Sequence, residues 1–280
     1  MKMNDLQVKC LAGKGVVTAQ ECLDCSLRAG HPECEYDYGL LAALLKNEPR
    51  PEIHVTDLTD CLRRAWYAKK EPRPGWVHDR LAAYIGTLFH SSVEITNDAT
   101  RSEVPLSYGG VVGTADRVYA NGRVVDYKTT KYIYLDRLPY GSHSLQINLY
   151  AHMLRKMGHK VTSLAIQYIA TTGPTTCTGR KGMKHAAMTL ERVNGVLMCP
   201  HCGSVPRNGH QGVALVEVPM MPEYQIEAVF NERRDALQKA LESGEPPEAE
   251  PSWLCAYCRA IDRCSKGEIY LNGYGDYENG

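Results

Sequence analysis

The stretch GGVVGTADRVYANGRVVDYKTT, residues 109–130, decides the fold. Two short β-branched runs flank Asn121-Gly122, the strongest local hairpin signal a sequence offers. Asp116 lies on the first run, Asp126 and Lys128 on the second. Asp126 and Lys128 are two apart on a strand, so their side chains leave the same face. The turn decides whether Asp116 joins them. A two-residue turn would pair Asp116 with Tyr127 and send Asp126 to the opposite face. A three-residue loop or a bulge, supplied by Gly113 or Gly122, sets Asp116 opposite Asp126. The shifted register is the expectation, because the two carboxylates then form a divalent-cation site with an ammonium beside it. Hard cations take carboxylate oxygens. A metal there lowers the pKa of a bound water and clamps a phosphodiester, while Lys128 stabilises charge developing on the phosphate.

On either side of the hairpin the chain reads as alternating helices and strands. A helix capped by Thr56 or Asp57 runs to about Lys70 with Cys61 on it, and Pro72 and Pro74 end it. A second helix, about Val77–Asn97, carries Gly86 and His90 on one face. Strands follow at Ser102–Tyr108, Gly110–Ala120 and Arg123–Thr130. Lys131–Ser142, with Tyr132, Tyr134 and Tyr140 beside Lys131 and Arg137, is either a loop packed on the sheet or a surface on which unpaired bases could stack. A helix over about Ser144–Met157 puts Gln146 and Tyr150 on one face. Thr162–Thr171 and Val213–Val218 read as partner strands. Pro222–Gly244 is a long amphipathic helix, and a Gly/Tyr/Asp-rich tail from about Lys266 reads as frayed.

The 280 residues suffice for one large domain or for one with appendages. No apolar run approaches the roughly 20 residues that span a bilayer, and MKMNDLQVKC has no signal-peptide core, so the expected setting is cytoplasmic, with no membrane. Thirty-two acidic and 32 basic residues give a net charge of zero, which argues against binding nucleic acid by bulk charge but not against a local basic groove.

Eleven cysteines, an odd number with Cys-x-x-Cys pairs, point to metal ligation rather than disulfides. Cys10, Cys22, Cys25 and Cys34 fit a small structural zinc site, with His31 a substitute for Cys34 and residues 1–50 as its module. Glu48-Pro-Arg-Pro51 is the expected linker. An insertion at about 173–212 carries Cys177, Cys199 and Cys202, half of a zinc knuckle, with His185, His201 and His210 as possible fourth ligands.

The order of the central elements is a helix with His90, a strand with Asp116, a strand with Asp126-Tyr-Lys128, and a helix with Gln146-x-x-x-Tyr150. Through GTLFH (86–90), GTADRV (113–118), VVDYKTT (124–130) and QINLY (146–150), it resembles the RecB-like branch of the PD-(D/E)xK nucleases. The resemblance covers about 55–264. Cys61 upstream and Cys255-x-x-Cys258-x5-Cys264 downstream extend it to the RecB-family nucleases whose termini are tied by a [4Fe–4S] cluster, the CRISPR-associated prespacer-trimming exonucleases among them. Zinc is the alternative metal for those four thiolates.

The resemblance implies an α/β (α+β) restriction-endonuclease-like core, a central mixed sheet flanked by helices, forming a nuclease domain over 51–280. It implies that His90, Asp116, Asp126 and a backbone carbonyl near Tyr127 bind Mg²⁺ or Mn²⁺. Lys128 would orient the attacking water and stabilise the transition state, with Gln146 and Tyr150 positioning the lysine and the DNA backbone. The implied activity is a DNA exonuclease on single strands or ends, in CRISPR adaptation or in DNA repair and recombination. Its partners would be a CRISPR integrase or a helicase or recombination subunit. The competing class is a non-enzymatic zinc and iron–sulfur DNA-binding module, or a nuclease-like partner subunit.

Overall fold

Residues 6–273 are described in the computed structural model, apart from 11, 29–33, 35, 47–49, 95, 172–190, 194–195 and 204–211. The chain divides into two compact units, Met1–Phe89 with Val229–Gly280, and His90–Ala228.

In the first unit, β1 (Gln7–Lys9) pairs antiparallel with β2 (Val16–Thr18). A capping box closes the N-terminus of α1 (Ala19–Leu27): Thr18 accepts from the Glu21 N–H, and the Glu21 carboxylate accepts from the Thr18 N–H. Asp37 caps α2 (Tyr38–Leu45) through the Leu40 N–H at 3.1 Å. Leu6, Val8, Ala19 and Leu23 pack with Leu41, Leu44, Leu45 and Val77 into one small core. The expected 1–50 module therefore shares its core with a residue beyond it. After the two-residue β3 (Ile53–His54) and a 3-10 turn at Val55–Leu58 comes α3 (Leu62–Lys70), and then β4 (Gly75–Trp76), which pairs parallel with β1. Cys61 is the residue before α3 rather than on it, because the 3-10 turn interrupts the expected helix. Next come α4 (Leu81–Ser92), which belongs to this unit as far as Phe89, and, at the far end of the chain, α6 (Glu223–Ser243), which belongs to it from Val229, and α7 (Ser265–Gly273). The reading of a frayed tail is corrected over the α7 residues, where Glu268 N–H donates to Cys264 O at 3.0 Å.

Distant parts of the chain meet inside this unit. Trp66 Nε1 donates to Ala240 O at 3.0 Å, and Arg233 donates to the carbonyls of Leu58 and Asp60. The Arg263 guanidinium lies 4.7 Å over the Tyr67 ring and bonds Glu71 Oε2 at 2.7 Å.

The second unit is built on a mixed sheet. β5 (Thr100–Tyr108), β6 (Val111–Tyr119) and β7 (Arg123–Thr130) form an antiparallel meander, β8 (Ser163–Ala170) runs parallel to β7, and β11 (Val213–Val218) pairs antiparallel with β8. A small hairpin, β9 (Glu191–Val193) with β10 (Val196–Met198), lies in the insertion. Parallel neighbours need a crossover, and α5 (Gly141–Lys156) supplies it, lying across the sheet from β5 to β8. Its residues from Gln146 to Leu154 are all buried, so the polar ones need partners. Asn148 donates to the carbonyls of Ser144 and Pro219 and accepts the Met221 N–H at 2.8 Å, and His152 Nδ1 meets Glu223 Oε1 at 2.9 Å. Among the described residues, no helix is long and apolar enough to cross a membrane.

Candidate active site

Two turns set the register of the meander. Gly109 and Gly110, with φ of 56° and 77°, join β5 to β6 so that Tyr108 pairs with Val111. That ladder runs Ser102↔Arg117 and Val104↔Ala115, which sets Glu103 opposite Asp116. At the next turn Gly122, φ 89°, donates its N–H to Tyr119 O at 2.9 Å. Arg117 pairs with Val125 and Val118 with Val124, so the loop is Ala120-Asn121-Gly122 and one further step sets Asp116 opposite Asp126. This is the shifted register. A Cβ at Gly122 would approach Lys160 O to 2.9 Å, so both space and φ favour glycine there.

Glu103, Asp116 and Asp126 therefore form one row across three adjacent strands. Like charges side by side across a sheet repel. His90, near the C-terminal end of α4, stands over the row with Nδ1 at 3.4 Å from Asp116 Oδ1 and 3.5 Å from Glu103 Oε1. One ligand atom from each of these three residues lies within 4.8 Å of the others, a spacing that a divalent cation can bridge. The hydrogen bond His90 donates to the Asp116 carboxylate leads the causes that raise the His90 pKa.

Asp116 is fixed from its other side, because Oδ2 accepts the Tyr127 N–H at 2.7 Å. Tyr127 thus enters the site through its backbone N–H. Asp126 is 1 % exposed, and its Oδ2 meets Lys128 Nζ at 2.6 Å. Its Oδ1 is buried with no hydrogen-bond partner among the described residues. Burial pushes the Asp126 carboxyl well above the ordinary carboxylate range, against the pull of Lys128 and with the help of Asp116. A buried carboxylate oxygen without a donor, beside two more carboxylates and an imidazole, fits a hard or borderline divalent cation.

α5 covers this face. Gln146 Nε2 donates to the Tyr150 hydroxyl at 2.8 Å, and both side chains are buried. Burial raises the Tyr150 pKa, and Asp126 is the next cause, so the phenol stays protonated near the carboxylates. All six residues expected to be catalytic, His90, Asp116, Asp126, Lys128, Gln146 and Tyr150, lie in the second unit.

Glu103 and His143 escaped the sequence reading. Gly109-Gly110 was the missed signal for Glu103: a two-residue Gly-Gly turn counts back from Asp116 to Glu103 directly. The φ of Glu103 is 49°, a strained value for a residue with a side chain. His143 sits one turn before Gln146, and its Nδ1 is 3.1 Å from the Tyr168 hydroxyl. Burial, then the charge of Lys128, pushes its pKa down to about 4, so the ring is neutral at neutral pH.

The cysteines sort into separate places. Cys61, Cys255, Cys258 and Cys264 all line one small cavity in the first unit. Cys10, Cys22, Cys25 and Cys34 belong to the N-terminal part of that unit, and none of them is in a disulfide. In the insertion, Cys199 is buried and Cys202 exposed, with Gly203 N–H donating to Cys199 O at 2.8 Å. Cys177, His31, His185 and His210 lie outside the described residues.

A family model described as the PD-(D/E)XK nuclease superfamily matches residues 39–265. A solved structure described as "Crystal structure of SSO0001" is 19% identical over 81% of this chain and 95% of that one, with a TM-score of 0.46. No curated protein matches.

Proposed function

Because the chain belongs to the PD-(D/E)XK nuclease superfamily, we propose that it is a Mg²⁺- or Mn²⁺-dependent DNA exonuclease of the RecB-like branch, acting on single strands or DNA ends. One observation carries the reading: a row of three carboxylates under His90, ending at a buried Asp126 that pairs with Lys128. A DNA-binding scaffold has no physical need for that set, because repelling, desolvated carboxylates cost stability unless a cation joins them.

His90, Glu103, Asp116 and Asp126 would hold the cation, which when bound supplies Lewis acidity and an activated water. Lys128, whose Nζ lies 2.6 Å from Asp126 Oδ2, would face the phosphate and stabilise the charge that develops on its oxygens. Tyr150, held by Gln146, keeps a proton-bearing hydroxyl beside the carboxylates and orients the lysine and the DNA backbone.

The four cysteines lining one cavity support a [4Fe–4S] cluster at Cys61, Cys255, Cys258 and Cys264. Ligands drawn from Cys61 and from the segment after α6 would fasten those parts of the first unit together, and the ligation energy would add to folding. The role follows the same resemblance: processing DNA ends in CRISPR adaptation, or in repair and recombination, with an integrase or a helicase subunit as partner and in the cytoplasm.

The test is degradation of end-labelled single-stranded and duplex DNA by anaerobically purified protein with Mn²⁺ or Mg²⁺, beside Lys128→Ala. Metal-dependent loss of label in the wild type alone supports the proposal, and the ladder from each end gives the polarity. Folded, metal-replete protein that leaves both substrates intact overturns it.

A further inference from the structure

Taking the nuclease reading as the basis, we infer that the loop between β7 and α5 is a binding site for unpaired bases. Tyr132 and Tyr134 are its stacking rings, and Lys131 and Arg137 its phosphate contacts. The substrate it selects is a single strand of DNA, whose bases can leave one another for the rings.

Both ends of the loop are tied to the row that carries Lys128. β7 ends at Thr130, and Lys131 follows three residues after Lys128, about 10 Å further along an extended chain. There Thr130 Oγ1 donates to Tyr132 O at 3.1 Å, and Thr130 O accepts the Thr171 N–H at 2.8 Å. At the other end, the Tyr140 N–H donates to the Tyr168 hydroxyl at 3.3 Å, and Tyr168 is the register partner of Lys128 on β8. The Tyr140 ring stands edge-on to His143 and to the fully buried Tyr168, with centroids 5.4 and 6.1 Å away. Tyr140 therefore belongs to the anchor and not to the binding surface.

Between its anchors the loop divides by burial. Ile133 is 1 % exposed, whereas Tyr132 and Tyr134 on either side of it are half-buried and Lys131 and Arg137 are exposed. Neighbours alternate sides along extended backbone, and Tyr134 is extended, with φ −109° and ψ 97°. Ile133 takes the packing, and the two rings come together with centroids 6.3 Å apart at 65°. Each ring has its own cation. Lys131 Nζ lies 5.3 Å from the Tyr132 centroid, and Arg137 Cζ lies 5.1 Å from that of Tyr134. A 3-10 turn over Leu135–Arg137 returns the guanidinium to its ring, with the Arg137 N–H donating to Tyr134 O at 3.0 Å.

A loop that only covered the sheet would need Ile133 and Tyr140. Two rings bearing two cations, with Asp136 the only acid between Lys131 and Tyr140, match a ligand that is flat and apolar in one part and anionic in the next. Bases stack on aromatic rings and on guanidinium planes, and the phosphates between them pair with the cations. In a duplex the bases are already stacked on one another, so the same rings discriminate against paired DNA.

The experiment measures binding of a labelled oligothymidylate to the full-length protein by fluorescence anisotropy, with Ca²⁺ in place of Mn²⁺. Tyr132→Ala and Tyr134→Ala should each weaken binding by about 5- to 100-fold, the scale of losing one base–aromatic stack. Tyr132→Phe and Tyr134→Phe should bind as the wild type does, because the ring and not the hydroxyl is required. Lys131→Ala and Arg137→Ala should each lower the slope of log affinity against log salt by about 0.7. If the alanine variants do not accumulate as folded protein, the wild type decides alone: an abasic strand of the same length should bind at least about fivefold more weakly than the oligothymidylate. Alanine variants that bind as tightly as the wild type make the loop a packing element and overturn the inference. So does an abasic strand bound equally well, or a wild type that does not bind the oligothymidylate. Cleavage is read separately. Protein that binds as described and cuts nothing fails the nuclease reading, whereas protein that cuts DNA and binds it without regard to its bases fails this inference alone.

Discussion

Lys128 turns back along its own strand to Asp126, Nζ to Oδ2 at 2.6 Å, and in doing so engages the most deeply buried carboxylate of the site. The lysine is therefore predicted to support the fold as well as the proposed reaction. Lys128→Ala should cut cleavage by about 10²–10³-fold, the range for losing one transition-state donor. It should also lower the melting temperature of the metal-free protein, because Asp126 would be left buried without a counter-charge. Asp126→Asn is expected to abolish cleavage while raising metal-free stability. Calorimetry beside the cleavage assay checks both, and equal melting temperatures for all three proteins would refute the dual role.

Glu103 is predicted to act through the cation. Glu103→Gln keeps the shape and removes the charge, so the Mn²⁺ concentration for half-maximal cleavage should rise by roughly tenfold or more, the scale on which removing one supporting group weakens a metal site. Saturating Mn²⁺ should restore most of the rate. A variant with the wild-type Mn²⁺ requirement would remove Glu103 from the ligand set.

The pH dependence of metal-free stability has a definite sign. Asp126 and His90 both have raised pKa values in the fold, one through burial and the other through its bond to Asp116. Each group holds its proton more tightly folded than unfolded, so each favours the fold at low pH and loses that contribution as pH rises through its folded pKa. Chelator-treated protein should therefore lose stability as pH rises from about 4 to about 6 through Asp126, and again above the ordinary histidine range through His90. A divalent cation needs both groups deprotonated, so the rise in melting temperature on adding Mn²⁺ should widen over the same range. Asp126→Asn should flatten the metal-free curve.

Cys258→Ser is expected to lose iron and any brown colour and to lower the melting temperature by several degrees, since the ligation energy of a metal centre is folding energy. Absorbance and iron content of anaerobic protein decide it. A colourless wild type would rule the cluster out.

Gly122→Ala tests the register itself. The added Cβ would sit 2.9 Å from Lys160 O at a φ of 89°. Stability should fall by more than about 1 kcal/mol, and cleavage should fall with it, because the same turn sets Asp116 against Asp126. A stable variant with impaired cleavage would show the register slipping rather than the fold weakening.

β5 to β8, β11 and α5 could be read from the sequence because their periodicities are strong, and the candidate site residues because they stand at fixed offsets on them. The Asn121-Gly122 pair signalled a hairpin, but the three-residue loop had to be chosen on chemical grounds, since loop length is not encoded in the two residues alone. Glu103 went unread although Gly109-Gly110 fixed it, because the strand before the hairpin was not counted across its turn. β1, β2 and β4 left no periodic trace, as strands of two or three residues cannot show one. α7 was hidden by the Gly- and Tyr-rich composition of the stretch that contains it.

The two compact units differ in how their residues are distributed along the chain, and that sets an order of birth. His90–Ala228 is one unbroken segment, whereas its companion waits for Val229 onward before Trp66 can meet Ala240 or Arg233 can reach Leu58. On a ribosome, the row of carboxylates and Lys128 can thus fold while Cys255, Cys258 and Cys264 are still unsynthesised. If those four cysteines hold the proposed cluster, Cys61 is made long before the other three, and its thiol would be open to oxidation until they are synthesised.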